Sequence, residues 1–293
     1  MGHEMALHST CSGSWHPRQL SIQTLPQLIA PHLLGPYGTP TMISIVRRKL
    51  GIPINDVFFA GNPLEQDLRS PIQFFIQAAV PAPGFYPFKT QIIKLGQTPA
   101  ELFGHLSSST RYKIRRAERE GTIPAIDPQP TSAELMSFCD FYDTFATQKS
   151  LACCNRNKLQ ALMKTNALIL TKATEGDGTT LAAHAYVGDP HIRRARLLYS
   201  ASHFRGSEDT ETRNRIGRAN RFLHWHEIEQ LKKLGYESYD LGGLPIDESN
   251  AEKNAIARFK SEFGGDHIIE FNGYLSQLPL VQRAIPLARR FFT

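Results

Sequence analysis

The chain has few of the features that mark exported or membrane proteins. Only four of its 293 residues are cysteine, and Cys153 and Cys154 are adjacent, which is a poor geometry for bridging each other. The cysteines therefore predict reduced thiols. The segment Met1–Trp15 lacks a basic stretch followed by an apolar one, and no uncharged apolar run reaches the length of a membrane span. We expect a soluble, cytoplasmic protein.

A strong excess of either charge is also missing. Lys and Arg number 33 and Asp and Glu 27, which gives a net charge of +6. This mild basic excess suits an anionic partner, such as a nucleotide cofactor, RNA or an anionic lipid headgroup, or an ordinary solvated surface. Apolar residues at 41% and charged residues at 20% are typical of a globular protein.

The length predicts one domain plus an incomplete second unit. Residues 1–20 mix Gly, Ser, His and Pro without periodicity, so we expect a disordered tail there. From Ser21 to Phe88, prolines and glycines recur between short apolar runs, which predicts strands and short helices in an irregular subdomain. We place this reduced N-terminal subdomain at residues 21–125 and the main domain at residues 126–293.

Two helices are predicted next. Thr98-Pro99-Ala100-Glu101 is typical of a helix start, with Thr98 as the N-cap and Glu101 three residues later. Residues 110–121 then predict a basic helix that ends at a glycine. Its closely spaced cations favour a binding role for phosphates over a solvated face. The candidates are Arg111, Lys113, Arg115 and Arg116.

The remaining pattern predicts a topology. A proline-rich stretch at 123–131 marks a boundary, and the elements that follow are a helix at 132–149, strands at 168–172, 179–187 and 195–202, a helix at 220–234, a strand at 237–241, a helix at 251–263 and a strand at 267–271. This order is that of the acetyltransferase fold of the GNAT superfamily. The expected class is therefore α/β (α+β), with a mixed, mostly antiparallel central sheet flanked by helices, which splays open for the donor's acyl arm.

A loop before the long helix is a candidate donor site. The stretch 213–220 resembles the GNAT pyrophosphate loop, and a loop at a helix start points backbone N–H groups at an anion. An Arg-rich surface loop is the alternative. The donor-binding candidates here are Asn214, Gly217, Arg218, Ala219 and Asn220. His224 and His226 diverge on a helix at this spacing, so we expect no metal site.

Two spaced motifs carry a family resemblance. Gly-Tyr-x-x-Tyr-Asp-Leu-Gly-Gly begins at Gly235, and Arg-Phe-Lys-Ser-Glu-Phe-Gly-Gly begins at Arg258. Together they resemble the carboxyl-terminal signature of FemAB-type peptidyltransferases and the related CelD-like acetyltransferases, and the similarity covers roughly residues 88–274. The resemblance implies that Phe259 and Lys260 lie near the donor carbonyl, where Lys260 stabilises the oxyanion.

Other roles follow by position in that fold. Tyr199 and Ser200 lie where it places donor contacts, and Asp240 is a candidate base at its strand end. An amine acceptor is implied, with either an acyl-CoA or an aminoacyl-tRNA as donor, and we favour a thioester because the first half is reduced. DNA is not an expected partner.

Two alternatives from other classes stay open: a non-catalytic RNA-binding module and an inactive scaffold relative. A further segment, residues 278–293, suggests weak contact with a membrane surface. Composition and motifs therefore favour an acyltransferase without naming its acceptor.

Overall fold

The structure is a computed structural model that describes residues 42–49, 51–68, 70–203, 209–245 and 251–283. The described strands are β1 Ser44–Lys49, β2 Ile52–Phe58, β3 Ile72–Ala78, β4 Tyr86–Lys94, β5 Ile123–Asp127, β6 Leu168–Thr174, β7 Thr180–Asp189, β8 Arg194–Ser202, β9 Ser238–Leu244 and β10 Asp266–Leu275. The described α-helices are α1 Pro99–His105, α2 Ser108–Arg119, α3 Ser132–Gln148, α4 Arg156–Lys164, α5 Thr210–Lys233 and α6 Ala251–Ser261. The predicted tail, residues 1–20, lies outside these ranges, as does most of the segment 278–293.

All ten strands form one sheet, in the order β1-β2-β3-β10-β4-β9-β8-β7-β6-β5. Two neighbouring pairs are parallel, β2 with β3 and β8 with β9, and the other pairs are antiparallel. The expected mixed, mostly antiparallel sheet flanked by helices is confirmed. The last described strand, β10, lies between two strands of the amino-terminal part.

Local sequence signals account for the element boundaries that were predicted well. Thr98 caps α1 as expected, and its side chain and Glu101 form a reciprocal capping box. Thr131 and Glu134 do the same for α3. The basic helix α2 is followed by Gly121, whose φ of +79° suits glycine. The three-strand meander β6–β8 and the alternation α5, β9, α6, β10 are also confirmed.

Three predictions of local structure were wrong. Helix α5 begins at Thr210, with Asp209 as its N-cap, and not near residue 220, so the stretch 213–220 is helix and not a loop. The proline-rich stretch at 123–131 contains β5, an edge strand where Pro124 removes no needed ladder bond. Helix α4, Arg156–Lys164, was not predicted.

The main hydrophobic core draws on both predicted parts of the chain. Ile45, Phe58 and Ile76 from the first strands pack in one cluster with residues of α3, α4, β6 and β7. A second cluster on the opposite side of the sheet joins α1, α2, α5 and β9. A division after residue 125 would fall within β5, and the division into residues 21–125 and 126–293 stays a prediction. In the described part of the chain, no helix has both the length and the apolar character needed to cross a membrane.

Candidate active site at the strand splay

The two parallel strands β8 and β9 separate part of the way along their length. Their pairing covers only three residue pairs, the last of which is Arg196 with Asp240, although the strands have nine and seven residues. Past this point the described strands no longer pair, and we call this end of the ladder the splay. The side chains around it form the candidate site, and the opening for an acyl arm that the fold implied stays a prediction.

Lys260 lies at the splay. It comes from the last turn of α6, is 9% exposed, and its Nζ donates to the carbonyl oxygen of Gly243 at 2.7 Å. Burial lowers the pKa of Lys260 to about 8, and the positive charge of Arg196 adds to this, while Asp240 opposes it. The side chain is thus a buried ammonium at neutral pH, held beside the part of β9 that pairs with β4 but no longer with β8.

The glycine pair of β9 makes room for this amine. Gly242 has a φ of +75°, and a Cβ atom there would lie 3.1 Å from the carbonyl oxygen of Leu197 and 3.9 Å from Nζ of Lys260. A side chain at this position would be strained and would crowd the amine. Gly242 therefore has both a conformational and a steric reason to be glycine.

Asp240 lies next to the splay but is fully occupied by structural contacts. Its carboxylate accepts from Thr90, from Gln77 Nε2 at 2.8 Å, from the Gly242 N–H at 2.8 Å and from two nitrogens of Arg194 at 2.6 and 3.1 Å. Burial raises the pKa of this carboxyl, but the charges of Arg194 and Arg196 outweigh it and hold the pKa below its ordinary value. The geometry makes Asp240 a poor base, since no oxygen is left for an incoming amine.

Arg194 completes this central network. Its guanidinium also binds both oxygens of Glu270 at 2.6 and 2.7 Å and lies over the ring of Phe59 at 4.6 Å. Gln77, which has a φ of +57°, donates to Glu270 as well as to Asp240. The network joins β3, β8, β9 and β10, so it binds the first strands to the splayed pair.

Arg196 differs from Arg194 in having no carboxylate partner. Its Nε is buried without a hydrogen bond, and among the described residues no ion pair reaches its guanidinium, which lies over the ring of Phe88 at 5.5 Å. Burial lowers the pKa of Arg196, although the nearby charge of Asp240 opposes this shift. Sequence reasoning missed this residue. Only the fold reveals that Arg194 has two carboxylate partners at ion-pair distance, whereas Arg196 has none among the described residues.

The predicted donor contacts occupy different positions. Tyr199 accepts from the Asn155 N–H at 3.1 Å and packs edge-on against Tyr142, on the α3 side of the sheet. Ser200 pairs with His184 of β7. Phe259 packs between Arg221, at 4.8 Å, and the aromatic cluster under α6. Tyr199 and Ser200 belong to β8, and Phe259 belongs to α6. Contact of these three residues with a donor stays a prediction.

The residues of the expected pyrophosphate loop lie within α5. Ala219 is buried, Asn214 is exposed, and Gly217 is half-buried on the helix. Arg218 is 5% exposed and is bound by Glu120 through two bonds of 2.8 Å and by Glu211 at 2.7 Å. Because Gly217–Asn220 are internal to the helix, their backbone N–H groups are used there and cannot form an anion-binding loop.

The basic helix α2 also has internal partners. Arg116 pairs with Glu120 at 2.8 Å and Glu211 at 3.0 Å, and Arg111 donates to the carbonyl oxygens of Gly104 and Leu106. Two further cations complete the set: Arg115 lies over the ring of Phe103, and Lys113 is half-buried. These contacts hold α2 to α1 and α5, and phosphate binding by the four cations stays a prediction.

A second group of polar side chains is buried on the α5 side of the sheet. Glu227 of α5 faces His184 of β7 at 2.7 Å, His224 at 3.1 Å, and the hydroxyls of Tyr186 and Tyr239 at 2.5 and 2.8 Å. Burial lowers the pKa of His224 to about 4. Burial alone would raise the pKa of Glu227, but the charge and hydrogen bonds of His184 hold it well below its ordinary value.

Sequence reasoning missed this group too. In the sequence, His224 was considered as a metal ligand only together with His226. The spacing of three residues between His224 and Glu227 places both side chains on one face of α5. His184 comes from a distant strand, and no local pattern singles it out. Of the side chains that the structure describes, these three are the His, Cys, Asp and Glu residues that converge closely enough to hold a metal ion.

Comparison with known proteins supports the fold. No family model and no curated protein matches the sequence. The crystal structure of FemX has a TM-score of 0.56 at 13% identity, over 86% of this chain and 89% of that chain. The structure of L-PGS from Bacillus licheniformis has a TM-score of 0.50 at 15% identity, over 88% of this chain and 87% of that chain. The chain therefore shares its fold with FemX and L-PGS, which agrees with the expected α/β class and its mixed, mostly antiparallel sheet.

Proposed function

We propose that this protein is a transferase that moves an acyl or aminoacyl group from an activated carbonyl donor to an amine. The observation that carries this proposal is the buried ammonium of Lys260 at the point where β8 and β9 separate. A cation held away from water interacts strongly with negative charge that develops close to it. In acyl transfer that charge develops on the carbonyl oxygen.

The reaction then proceeds by addition and elimination. The uncharged amine of the acceptor attacks the donor carbonyl, and the oxygen of the tetrahedral intermediate takes up negative charge that Lys260 stabilises. The carbon–sulfur or carbon–oxygen bond breaks, and the leaving thiolate or alkoxide takes up the proton that the amine loses. Water relays that proton, since the contacts of Asp240 leave it no free oxygen.

Arg196 has a separate role in this proposal. Among the described residues no carboxylate forms an ion pair with its half-buried guanidinium, whose Nε is buried without a hydrogen bond and can take an acceptor. We assign it to an anionic group of the bound substrates. Mutation of Arg196 to Met should therefore raise KM more than it lowers kcat, whereas mutation of Lys260 to Met should lower kcat by about 10²–10³-fold.

The donor that we favour is an acyl-CoA or another thioester, with an aminoacyl-tRNA as the alternative. We favour a thioester because Ser21–Phe88 is short for a complete acetyltransferase-like first half. The helical state of residues 213–220 removes one expected contact for the pyrophosphate of CoA. The donor class is for this reason the first quantity to measure.

One experiment separates these donors. Wild-type protein is incubated with a mixture of amines and either CoA thioesters or charged tRNA, and the products are identified by mass spectrometry. Transfer from the thioesters alone supports the favoured donor, and transfer from charged tRNA alone supports the alternative. If neither donor yields product or binds in native mass spectrometry, the transferase proposal is wrong and a non-catalytic role is favoured.

A further inference from the structure

The buried group on the α5 side of the sheet is built like a metal site. His184, His224 and Glu227 each offer one ligand atom, and these atoms all lie within 4.8 Å of one another. Two of the residues lie on one helix and the third on the facing strand, so the group bridges two elements. Two histidines and one glutamate are a ligand set that zinc uses in proteins.

The hydrogen bonds of His184 leave a place for one positive charge. Its Nε2 lies 2.8 Å from Oδ1 of Asn220, a carbonyl oxygen that accepts a proton from the ring. With that proton on Nε2, Nδ1 of a neutral ring carries a lone pair, and it faces a carboxylate oxygen of Glu227 at 2.7 Å. In this arrangement a cation fits between Nδ1 and the carboxylate, either a second proton on the ring or a metal ion.

The surroundings orient the ligands in the manner of a metal site. Asn220 fixes the ring of His184 through its outer nitrogen, which is the usual arrangement for a metal-bound histidine. Thr171 and Tyr186 donate to the two oxygens of Glu227. The hydroxyl of Tyr239, which lies 2.6 Å from Nδ1 of His224, is near enough to act as a fourth oxygen ligand.

We propose that His184, His224 and Glu227 bind one divalent metal ion of the zinc type, with Tyr239 as the fourth ligand. Zinc bonds of about 2.0–2.1 Å in a tetrahedron place ligand atoms roughly 3.3 Å apart. The present separations of 2.7 Å from Glu227 to His184, 3.1 Å from Glu227 to His224 and 2.6 Å from His224 to Tyr239 therefore widen by about 0.2–0.7 Å when the ion enters. Small rotations of three side chains supply that change.

The ion joins α5 to the sheet, and this location predicts its role. His184 lies on β7 and Tyr239 on β9, one residue before Asp240 at the edge of the splay. A bound ion fixes the distance between the helix and the strand that carries Gly242 and Gly243. We therefore expect metal binding to raise thermal stability. Thermal stability is measured without a donor or an acceptor, so the metal proposal is tested separately from the transferase proposal.

The first test uses the wild-type full chain. After treatment with EDTA and its removal, one equivalent of Co²⁺ should give weak visible d–d bands without a sulfur charge-transfer band, since the ligands are nitrogen and oxygen. Zn²⁺ should abolish those bands with a stoichiometry of one per chain. Zn²⁺ at about 100 times its Kd should raise Tm by about 5 °C.

Matched variants assign the ligands. His184→Gln and Glu227→Gln should each lose the Co²⁺ bands, whereas His226→Gln, on the same helix but outside the group, should keep them. Asn220→Ala should weaken binding about 10–100-fold, because it frees the outer nitrogen of His184. This variant and the wild-type titration keep the proposal testable if a core substitution prevents folding.

Three results would overturn the proposal. They are wild-type protein that gives no Co²⁺ bands at one equivalent, bands with sulfur character, and equal binding by the His184 and His226 variants. In the first case the second proton on His184 fills the place, and the group is a closed hydrogen-bond network. None of these results bears on transfer from a donor to an amine, so the two proposals fail separately.

Discussion

The two parallel strand pairs of the sheet end in different ways. After β2 and β3 stop pairing at Phe58 and Ile76, backbone bonds from Phe59 to Ile76 and from Ala79 to Ala60 keep the strands together. After β8 and β9 stop pairing at Arg196 and Asp240, the described strands do not pair again, and Lys260 donates to the carbonyl oxygen of Gly243 there. We assign chemistry to the second pair, because Lys260 contacts it, and support to the first.

Each pair also has a buried aspartate, and the two are expected to behave alike. Asp56 of β2 binds Arg47 at 2.9 Å and Lys158 at 3.0 Å, as Asp240 binds Arg194. Asp240→Asn should lower the free energy of unfolding by about 3–5 kcal/mol, because Arg194 loses a buried counter-charge. Urea denaturation measures this loss, and Asp56→Asn should show one of similar size. If the Asp240→Asn variant had normal stability but no turnover, Asp240 would instead be the catalytic base.

Mutation of Lys260 should change stability more than mutation of Lys158. The folded-state pKa of Lys260, about 8 against 10.5, means that the folded protein holds this proton less tightly, so burial of the ammonium costs about 3 kcal/mol at pH 7. Lys260→Met should raise stability by up to that amount at pH 7, and the gain should vanish as pH rises towards 10.5. Burial also lowers the pKa of Lys158, but the charge of Asp56, 3.0 Å away, opposes this, so Lys158→Met should raise stability less than Lys260→Met does. Denaturation at pH 7 and pH 10 tests both. A loss of stability in Lys260→Met would show that its contacts outweigh its burial.

Two glycines with the same backbone conformation provide the third comparison. Gly242 and Gly51 have φ values of +75° and +79°, but a Cβ at Gly51 would meet nothing within 4 Å. Gly51→Ala should cost about 1 kcal/mol for the left-handed conformation alone, and Gly242→Ala about 2–3 kcal/mol with a loss of turnover. Denaturation and a transfer assay measure the two effects. If both mutations lowered the free energy of unfolding by the same amount, a side chain at position 242 would fit without a steric clash.

The pH dependence of the reaction gives the smallest expected effect. Because Lys260 acts as a cation, its contribution is present below its folded pKa of about 8 and is lost as pH rises through that value. With a saturating donor, kcat should fall by up to tenfold per pH unit above about 8. Lys260→Arg, which stays charged, should remove this fall even if its rate is low. A wild-type rate that is constant to pH 9.5 would contradict the cationic role.

Much of the fold was readable because its signals are local. The capping box of Thr98 and Glu101 lies within four residues, and the glycine that follows α2 marks its end. The start of α5 was missed although Asp209 is a good N-cap, because the resemblance of residues 213–220 to a phosphate loop outweighed it. Pro124 concealed β5 for a different reason, namely that only the sheet order reveals an edge strand.

Only part of the site could be predicted from the sequence, because some of its contacts join residues that are far apart in the chain. Lys260 lies in a motif with a recognisable spacing, so its position was predicted. Arg196 stands out only because Arg194, two residues away, takes both nearby carboxylates. His184 meets Glu227 across 43 residues of chain. Such pairings are properties of the fold, and a single sequence does not contain them in local form.

The place of β10 has a consequence for how the chain folds. This strand, Asp266–Leu275, is inserted between β3 and β4, which are completed almost two hundred residues earlier. During synthesis β3 and β4 have no partner on their facing edges until residue 275 leaves the ribosome. Unpaired edges of this kind recruit other chains. The facing edges of β3 and β4 are therefore open to other chains for longer than those of the meander β6–β8, which pairs with its own neighbours as it emerges.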